Sequence, residues 1–203
     1  MIKAMKYVNL VAVFSLLIFF AGTVPNAGYG VGDTARDFSL KNVDGKMVSL
    51  ADYENAKGYI VIFTCNTCPY SVMYEDRIIA LNNKFADKGY PVIAINPNDE
   101  TKQPADSYDK MFVRAKEKGF KFPYVQDKTQ EIARAYGATN TPHVYVLNKD
   151  RKVVYIGSID NNARDAASAD KHYVEDAIKA IESSKEPEVS KTKAIGCTIK
   201  WTS

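Results

Sequence analysis

The sequence predicts an α/β domain: one sheet with helices on both faces. Three observations carry that expectation. Two uninterrupted apolar runs, Tyr59–Phe63 and Val92–Ile95, flank a stretch whose apolar residues recur at helical spacing. Two further apolar runs, Val144–Leu147 and Val153–Ile156, are joined by the short polar turn Asn148-Lys149-Asp150-Arg151. A final stripe of Val174, Ala177, Ile178 and Ile181 completes the alternation of strand and helix signals.

Lys3 and Lys6 precede an apolar run from Val8 to Phe20, and no further charge appears before Asp33. That pattern predicts an export signal, or an uncleaved membrane anchor, over residues 1–27. The folded domain is expected over 28–183. Asp37–Leu40 and Lys46–Leu50 flank Asp44-Gly45, whose backbone preferences suit a tight hairpin turn. Tyr59–Phe63 lacks polar alternation and so reads as a strand buried on both faces. From Pro69 to Phe85 the apolar positions Ile78, Leu81 and Phe85 share a helical face, and Val92–Ile95 returns as a parallel strand.

Residues 96–106 are polar, carry two prolines and read as a loop. Tyr108, Met111, Phe112 and Ala115 predict a helix ended by Gly119. Phe122–Val125 predicts a short extended piece, and Ile132, Ala133 and Tyr136 a short helix stopped by Gly137. After the hairpin and the last helix, 184–203 is a charged linker followed by an apolar docking segment, Ala194–Trp201. No internal repeat is present.

The chain has 203 residues with 27 basic and 24 acidic side chains, a formal net charge of +3, which gives no basic stripe for nucleic acid. Its three cysteines, Cys65, Cys68 and Cys197, are too few for a disulfide scaffold and point to chemistry instead. Cys65-Asn66-Thr67-Cys68-Pro69 falls where the first buried strand gives way to the first helix. A thiolate there faces unpaired N–H groups and the positive end of the helix dipole, which lowers its pKa. A second cysteine one turn away can close a disulfide on it. Pro69 suits the first helical turn and keeps Cys68 out of the helical region. A zinc site would need further ligands, and no second Cys-x-x-Cys or His-x-His exists, so no metal and no cofactor is expected. The second feature is Thr141-Pro142-His143, directly before the strand Val144–Leu147.

Those two motifs, Tyr59-Ile60-Val61-Ile62-Phe63-Thr64-Cys65-Asn66-Thr67-Cys68-Pro69 and Thr141-Pro142-His143-Val144-Tyr145-Val146, resemble the thioredoxin superfamily. The start Val31-Gly32-Asp33-Thr34-Ala35-Arg36-Asp37-Phe38-Ser39-Leu40 and the Asp44-Gly45 turn resemble its redoxin (AhpC/TSA) branch. The tail Ile195–Trp201 resembles a peroxiredoxin-like subgroup carrying Cys-x-x-Cys. The resemblance implies a thioredoxin-like fold, a central mixed sheet flanked by helices, with an N-terminal β-hairpin extension. It also implies a cis Pro142 beside the cysteines, with Thr141 offering backbone groups to an extended substrate.

The chain departs from peroxiredoxins, whose site is Pro-x-x-x-Thr-x-x-Cys plus an arginine. With Cys68 as the reactive cysteine, Cys65 and Val61 stand where threonine and proline are due, and Pro142 falls near the arginine position. Tyr59 replaces the buried aspartate of thioredoxin. Glu75 and Asp76 are not assigned as bases.

The expected function is an exported thiol–disulfide oxidoreductase, periplasmic or otherwise extracytoplasmic, in which Cys65 attacks and Cys68 resolves. Expected partners are protein or small-molecule disulfides and a thiol electron donor, with no nucleic acid, and with membrane contact only through an uncleaved N-terminus. The alternatives are a peroxiredoxin-like thiol peroxidase with Cys68 as the peroxide-reactive residue and peroxides as substrates, and a Cu(I)-binding chaperone using Cys65, Cys68 and His143. His143 and Cys197 are further candidates, Cys197 as a third redox thiol, a shielded thiol or a link to another chain. Tyr70 and Tyr74 would form a peptide-facing rim, and His172 a surface position.

Overall fold

The computed structural model describes residues 28–202. The expected leader over 1–27 lies outside the described residues. Among the described residues no helix is long and apolar enough to cross a membrane.

The chain runs β1 (Leu40–Asn42), β2 (Met47–Val48), β3 (Gly58–Phe63), α1 (Pro69–Phe85), β4 (Val92–Asn96), α2 (Tyr108–Lys118), β5 (Tyr124–Gln126), α3 (Glu131–Tyr136), β6 (Asn140–Thr141), β7 (His143–Asn148), β8 (Val153–Gly157), α4 (Tyr173–Glu182) and β9 (Cys197–Thr198). Seven strands form one sheet in the order β2-β1-β5-β4-β3-β7-β8, and β6 pairs separately with β9. β3, β4 and β5 are parallel, while β7 and β8 return antiparallel on one side and β1 and β2 on the other. This is the expected mixed α/β sheet with an N-terminal hairpin.

The all-apolar strands are buried on both faces because each face meets its own layer. Ile60, Ile62, Val92, Ala94, Val144 and Val146 point to one side, against Ile78, Leu81 and Phe85 of α1, Met111 of α2 and Val174 and Ile178 of α4. The alternate residues Val61, Phe63, Ile93, Ile95, Tyr145 and Leu147 meet Ile132, Ala133 and Tyr136 of α3, with Phe38 and Leu50. Period-two alternation along each strand divides the two layers. The hairpin is pinned by Asp37, whose carboxylate accepts from the N–H groups of Leu50 (2.8 Å) and Ala51 (3.1 Å), and its turn uses Gly45 at φ +88.

The sequence expectations hold for every core strand and helix, with three differences. Phe112 is 49% exposed, because Met111 and Ala115 alone turn the α2 face inward. Tyr74 is buried and gives its hydroxyl to Asp160 (3.0 Å), which also binds Arg77 (2.6 Å), so it belongs to the core and not to a rim. The tail docks earlier than its charge suggests: Ser190 and Thr192 already bond to Ile156 of β8.

Candidate active site

β3 delivers the chain to the site. Thr64 N–H closes the last parallel bond to Ile95 O (2.8 Å), and the next four residues, Cys65 to Cys68, form the loop that opens α1. Cys68 is the N-cap with extended backbone (φ −64, ψ 124), and Pro69 occupies the first turn, as its restricted geometry favours. On the neighbouring segment the Thr141–Pro142 peptide bond is cis.

Thr141 gathers both sulfurs. Its Oγ1 lies 3.2 Å from Cys65 Sγ, and its carbonyl oxygen lies 3.0 Å from Cys68 Sγ. Cys65 and Cys68 are free thiols, 3% and 2% exposed. Cys65 also approaches Ser71 Oγ at 3.9 Å.

Cys197, from β9, lies with its Sγ 2.6 Å from Cys68 Sγ, and its backbone N–H donates to the same sulfur (3.3 Å).

The three thiols differ electrostatically. Burial pushes the Cys65 thiol up, and the Asp106 charge adds to this against the hydrogen bond from Thr141. Burial also works against a Cys68 thiolate. Hydrogen bonds from the Cys197 thiol and from the N–H groups of Ser71, Cys197 and Tyr70 outweigh it, so the Cys68 thiol lies below its ordinary value. The Cys197 thiol is pushed up to about 11, by burial first and then by the hydrogen bond it gives Cys68. The opposite directions of these two shifts favour the proton on Cys197. Cys68 as a thiol could donate to Thr141 O. As a thiolate it accepts from Cys197, and the two arrangements are mutually exclusive. The helix N-terminus and the tail both favour charge on Cys68, while Cys65 lies nearer a carboxylate.

One residue shaping the site was not singled out in the sequence. Asp106, fully buried, accepts from Asn66 N–H (2.9 Å), Thr67 Oγ1 (3.1 Å) and Asn98 Nδ2 (2.7 Å), and so clamps the dipeptide between the cysteines. Asn66 is fixed further by Ala105 O and by Tyr124 OH, both at 2.9 Å. Nothing in residues 96–106 distinguishes Asp106 from the half-buried Asp99 except its position after Pro104. Glu75 is buried and held by Arg114 in two bonds (2.6 and 2.7 Å) and by Lys118 (3.2 Å), whereas Asp76 is 88% exposed.

His143 does not join the cysteines. Its Nδ1 accepts from Thr139 N–H (3.4 Å), its ring packs on Tyr145, and burial, with Lys191 nearby, lowers its pKa to about 4. Among the described residues no three His, Cys, Asp or Glu side chains are arranged to hold a metal ion. His172 is exposed at the start of α4, as expected, and Tyr70 is half-buried.

These features can be set beside known proteins. The chain is 32% identical over 127 residues to the thiol-disulfide oxidoreductase ResA of Bacillus thuringiensis, covering 61% of this chain and 67% of that one. Two solved structures are similar over most of their length. One is a hypothetical protein from Sinorhizobium meliloti (30% identity, TM-score 0.80, 87% of this chain and 97% of that one). The other is an uncharacterized conserved protein from Geobacillus kaustophilus (35% identity, TM-score 0.79, 85% and 93%). The sheet order, the Cys-x-x-Cys at the head of α1 and the cis-proline facing it make the fold thioredoxin-like. The AhpC/TSA family model matches residues 31–156, from the segment before the hairpin to the end of β8, and the chain belongs to the AhpC/TSA family.

Proposed function

We propose that the chain is an exported thiol–disulfide oxidoreductase whose working pair is Cys65 and Cys68. The observation that carries this reading is the convergence of both sulfurs on Thr141, next to Pro142 and at the N-terminus of α1. The name of the Bacillus relative carries the same activity.

Cys68, the more acidic thiol, attacks one sulfur of a substrate disulfide. That bond breaks, and the leaving thiolate takes up a proton. Cys65 then attacks the Cys68 sulfur of the mixed disulfide and expels the second substrate thiol, leaving Cys65–Cys68 oxidised. A thiol donor reverses the sequence to regenerate the pair. Pro69 sets the start of α1, Thr141 and Pro142 shape the substrate side, and Asp106 fixes the intervening loop. The substrates are disulfides of proteins or small molecules. Export rests on the basic, then apolar, character of residues 1–27, with 28–183 as the catalytic domain and 184–203 as its tail.

Insulin reduction with a dithiol donor tests this. Cys68→Ser should fall to the uncatalysed rate and Cys65→Ser should be slower than wild type, and variants as fast as wild type would overturn the reading.

A thiol peroxidase is the second reading, favoured by the hydrogen bonds that lower the pKa of Cys68 below the ordinary thiol value within an AhpC/TSA chain. Cys65 and Val61 in place of the threonine and proline weaken it, since those groups would orient peroxide. Stopped-flow decay of hydrogen peroxide decides. A rate no better than free cysteine removes this reading.

A further inference from the structure

Cys197 lies beyond the residues matched to the AhpC/TSA family, yet its sulfur is the one in contact with Cys68. The segment that carries it is a strand. Cys197–Thr198 pairs antiparallel with Asn140–Thr141, placing Thr141 opposite Cys197, immediately before Pro142. An extended substrate using the backbone of Thr141 would need that same position.

The approach is built in on both sides. Upstream, Ser190 and Thr192 bond to Ile156, and Thr192 Oγ1 meets Tyr155 OH (2.6 Å). Downstream, Ile199 is buried and its N–H donates to Thr139 O (3.1 Å). Lys200 O accepts from Asp99 N–H (2.9 Å) and Gln130 Nε2 (2.8 Å), and Arg134 lies over the Trp201 ring at 4.5 Å. At the point of closest passage stands Gly196, where a Cβ would fall 2.1 Å from Thr141 O and 2.6 Å from its carbonyl carbon. The tail therefore reaches Cys68 only because that residue has no side chain.

We propose that Cys197 is a third redox cysteine: the tail strand occupies the groove beside Pro142 and delivers Cys197 to Cys68, forming a Cys68–Cys197 disulfide as a second oxidised state. This rests on the dithiol reading above. With the tail docked, an external disulfide has no path to Cys65 or Cys68, so the strand lifts for attack and returns for resolution. Cys68 thiolate first forms a mixed disulfide and releases one substrate thiol. The returning Cys197 thiol loses its proton to solvent and attacks the Cys68 sulfur. The Cys68–Cys197 bond forms, and the second substrate thiolate leaves and is protonated. Two cysteine thiols are oxidised and one substrate disulfide is reduced to two thiols. Exchange with Cys65 then yields Cys65–Cys68 and frees Cys197 with no net redox change.

The test is disulfide mapping by non-reducing digestion and mass spectrometry, after equilibration with oxidised glutathione. Cys65→Ser should give an intramolecular Cys68–Cys197 link and no free thiol. The unmutated chain, at limiting oxidant, should show Cys68–Cys197 beside Cys65–Cys68, a readout that does not depend on the variant folding. Glutathione held on Cys68, a link between two chains, or Cys65–Cys68 alone in the wild type would overturn the proposal. Insulin reduction by the wild type separates the two readings. Activity without any Cys68–Cys197 link sinks the tail role and leaves the oxidoreductase. No oxidised pair and no activity sinks both.

Discussion

A carboxylate and a set of backbone N–H groups divide the labour between two cysteines three positions apart in one loop. Asp106 disfavours charge on Cys65, while hydrogen bonds from the tail and from α1 favour charge on Cys68. A lowered pKa means more thiolate at a given pH. The first thiolate to appear in an absorbance titration near 240 nm as pH rises should therefore be lost in Cys68→Ser and kept in Cys65→Ser. Asp106→Asn removes the charge and should bring the Cys65 titration down in pH, with a loss of stability from the broken clamp. His143 offers a separate test. Buried neutral, it binds a proton at about 4 in the folded chain and at about 6.5 unfolded. Its contribution is whole above the unfolded value and is lost as pH falls from 6.5 towards 4, worth about 3 kcal/mol at most. His143→Gln should flatten the denaturant-midpoint curve across that range, and an unchanged slope would contradict the assignment.

At the scale of elements, the strand pair β6·β9 is short, two residues on each side, so its hold depends on the anchors at either end. A methyl at position 196 cannot be absorbed by a flexible neighbour, since the atoms it meets are backbone of Thr141 and Pro142. Gly196→Ala should therefore release the tail. The expected outcome is faster alkylation of Cys65 and Cys68 by iodoacetamide under native conditions, with the far-UV spectrum of the sheet and helices retained. Alkylation as slow as wild type would show that β9 does not cover the pair. The helices behave differently. α1 begins at Pro69 and buries Ile78, Leu81 and Phe85 whatever the tail does, which is why the head of α1 can serve as a fixed platform for Cys68.

Across the whole molecule, what the sequence made legible was what local patterning controls. Tyr59–Phe63 and Val92–Ile95 lack alternation because both sheet faces are covered, and Cys65-x-x-Cys68-Pro69 marks its own strand-to-helix junction. Asp106 was not legible, because its role comes from which loop happens to lie over Asn66 and Thr67. Phe112 misled, because a helix face three residues wide can turn either of two neighbours inward. Cys197 could be flagged as odd in number, but its partner lies far away in sequence and is reached through a pair of residues too short to carry a strand signal. The molecule places three thiols so that Cys68 has contact with the tail and shares Thr141 with Cys65. The most direct test is a redox titration of the full chain in glutathione buffers of rising potential, followed by alkylation and intact-mass counting of thiols. The expected result is one two-electron transition in which two thiols disappear together and one remains, absent in Cys68→Ser. Three thiols persisting at every potential, or the loss of one thiol at a time as glutathione adducts, would contradict it.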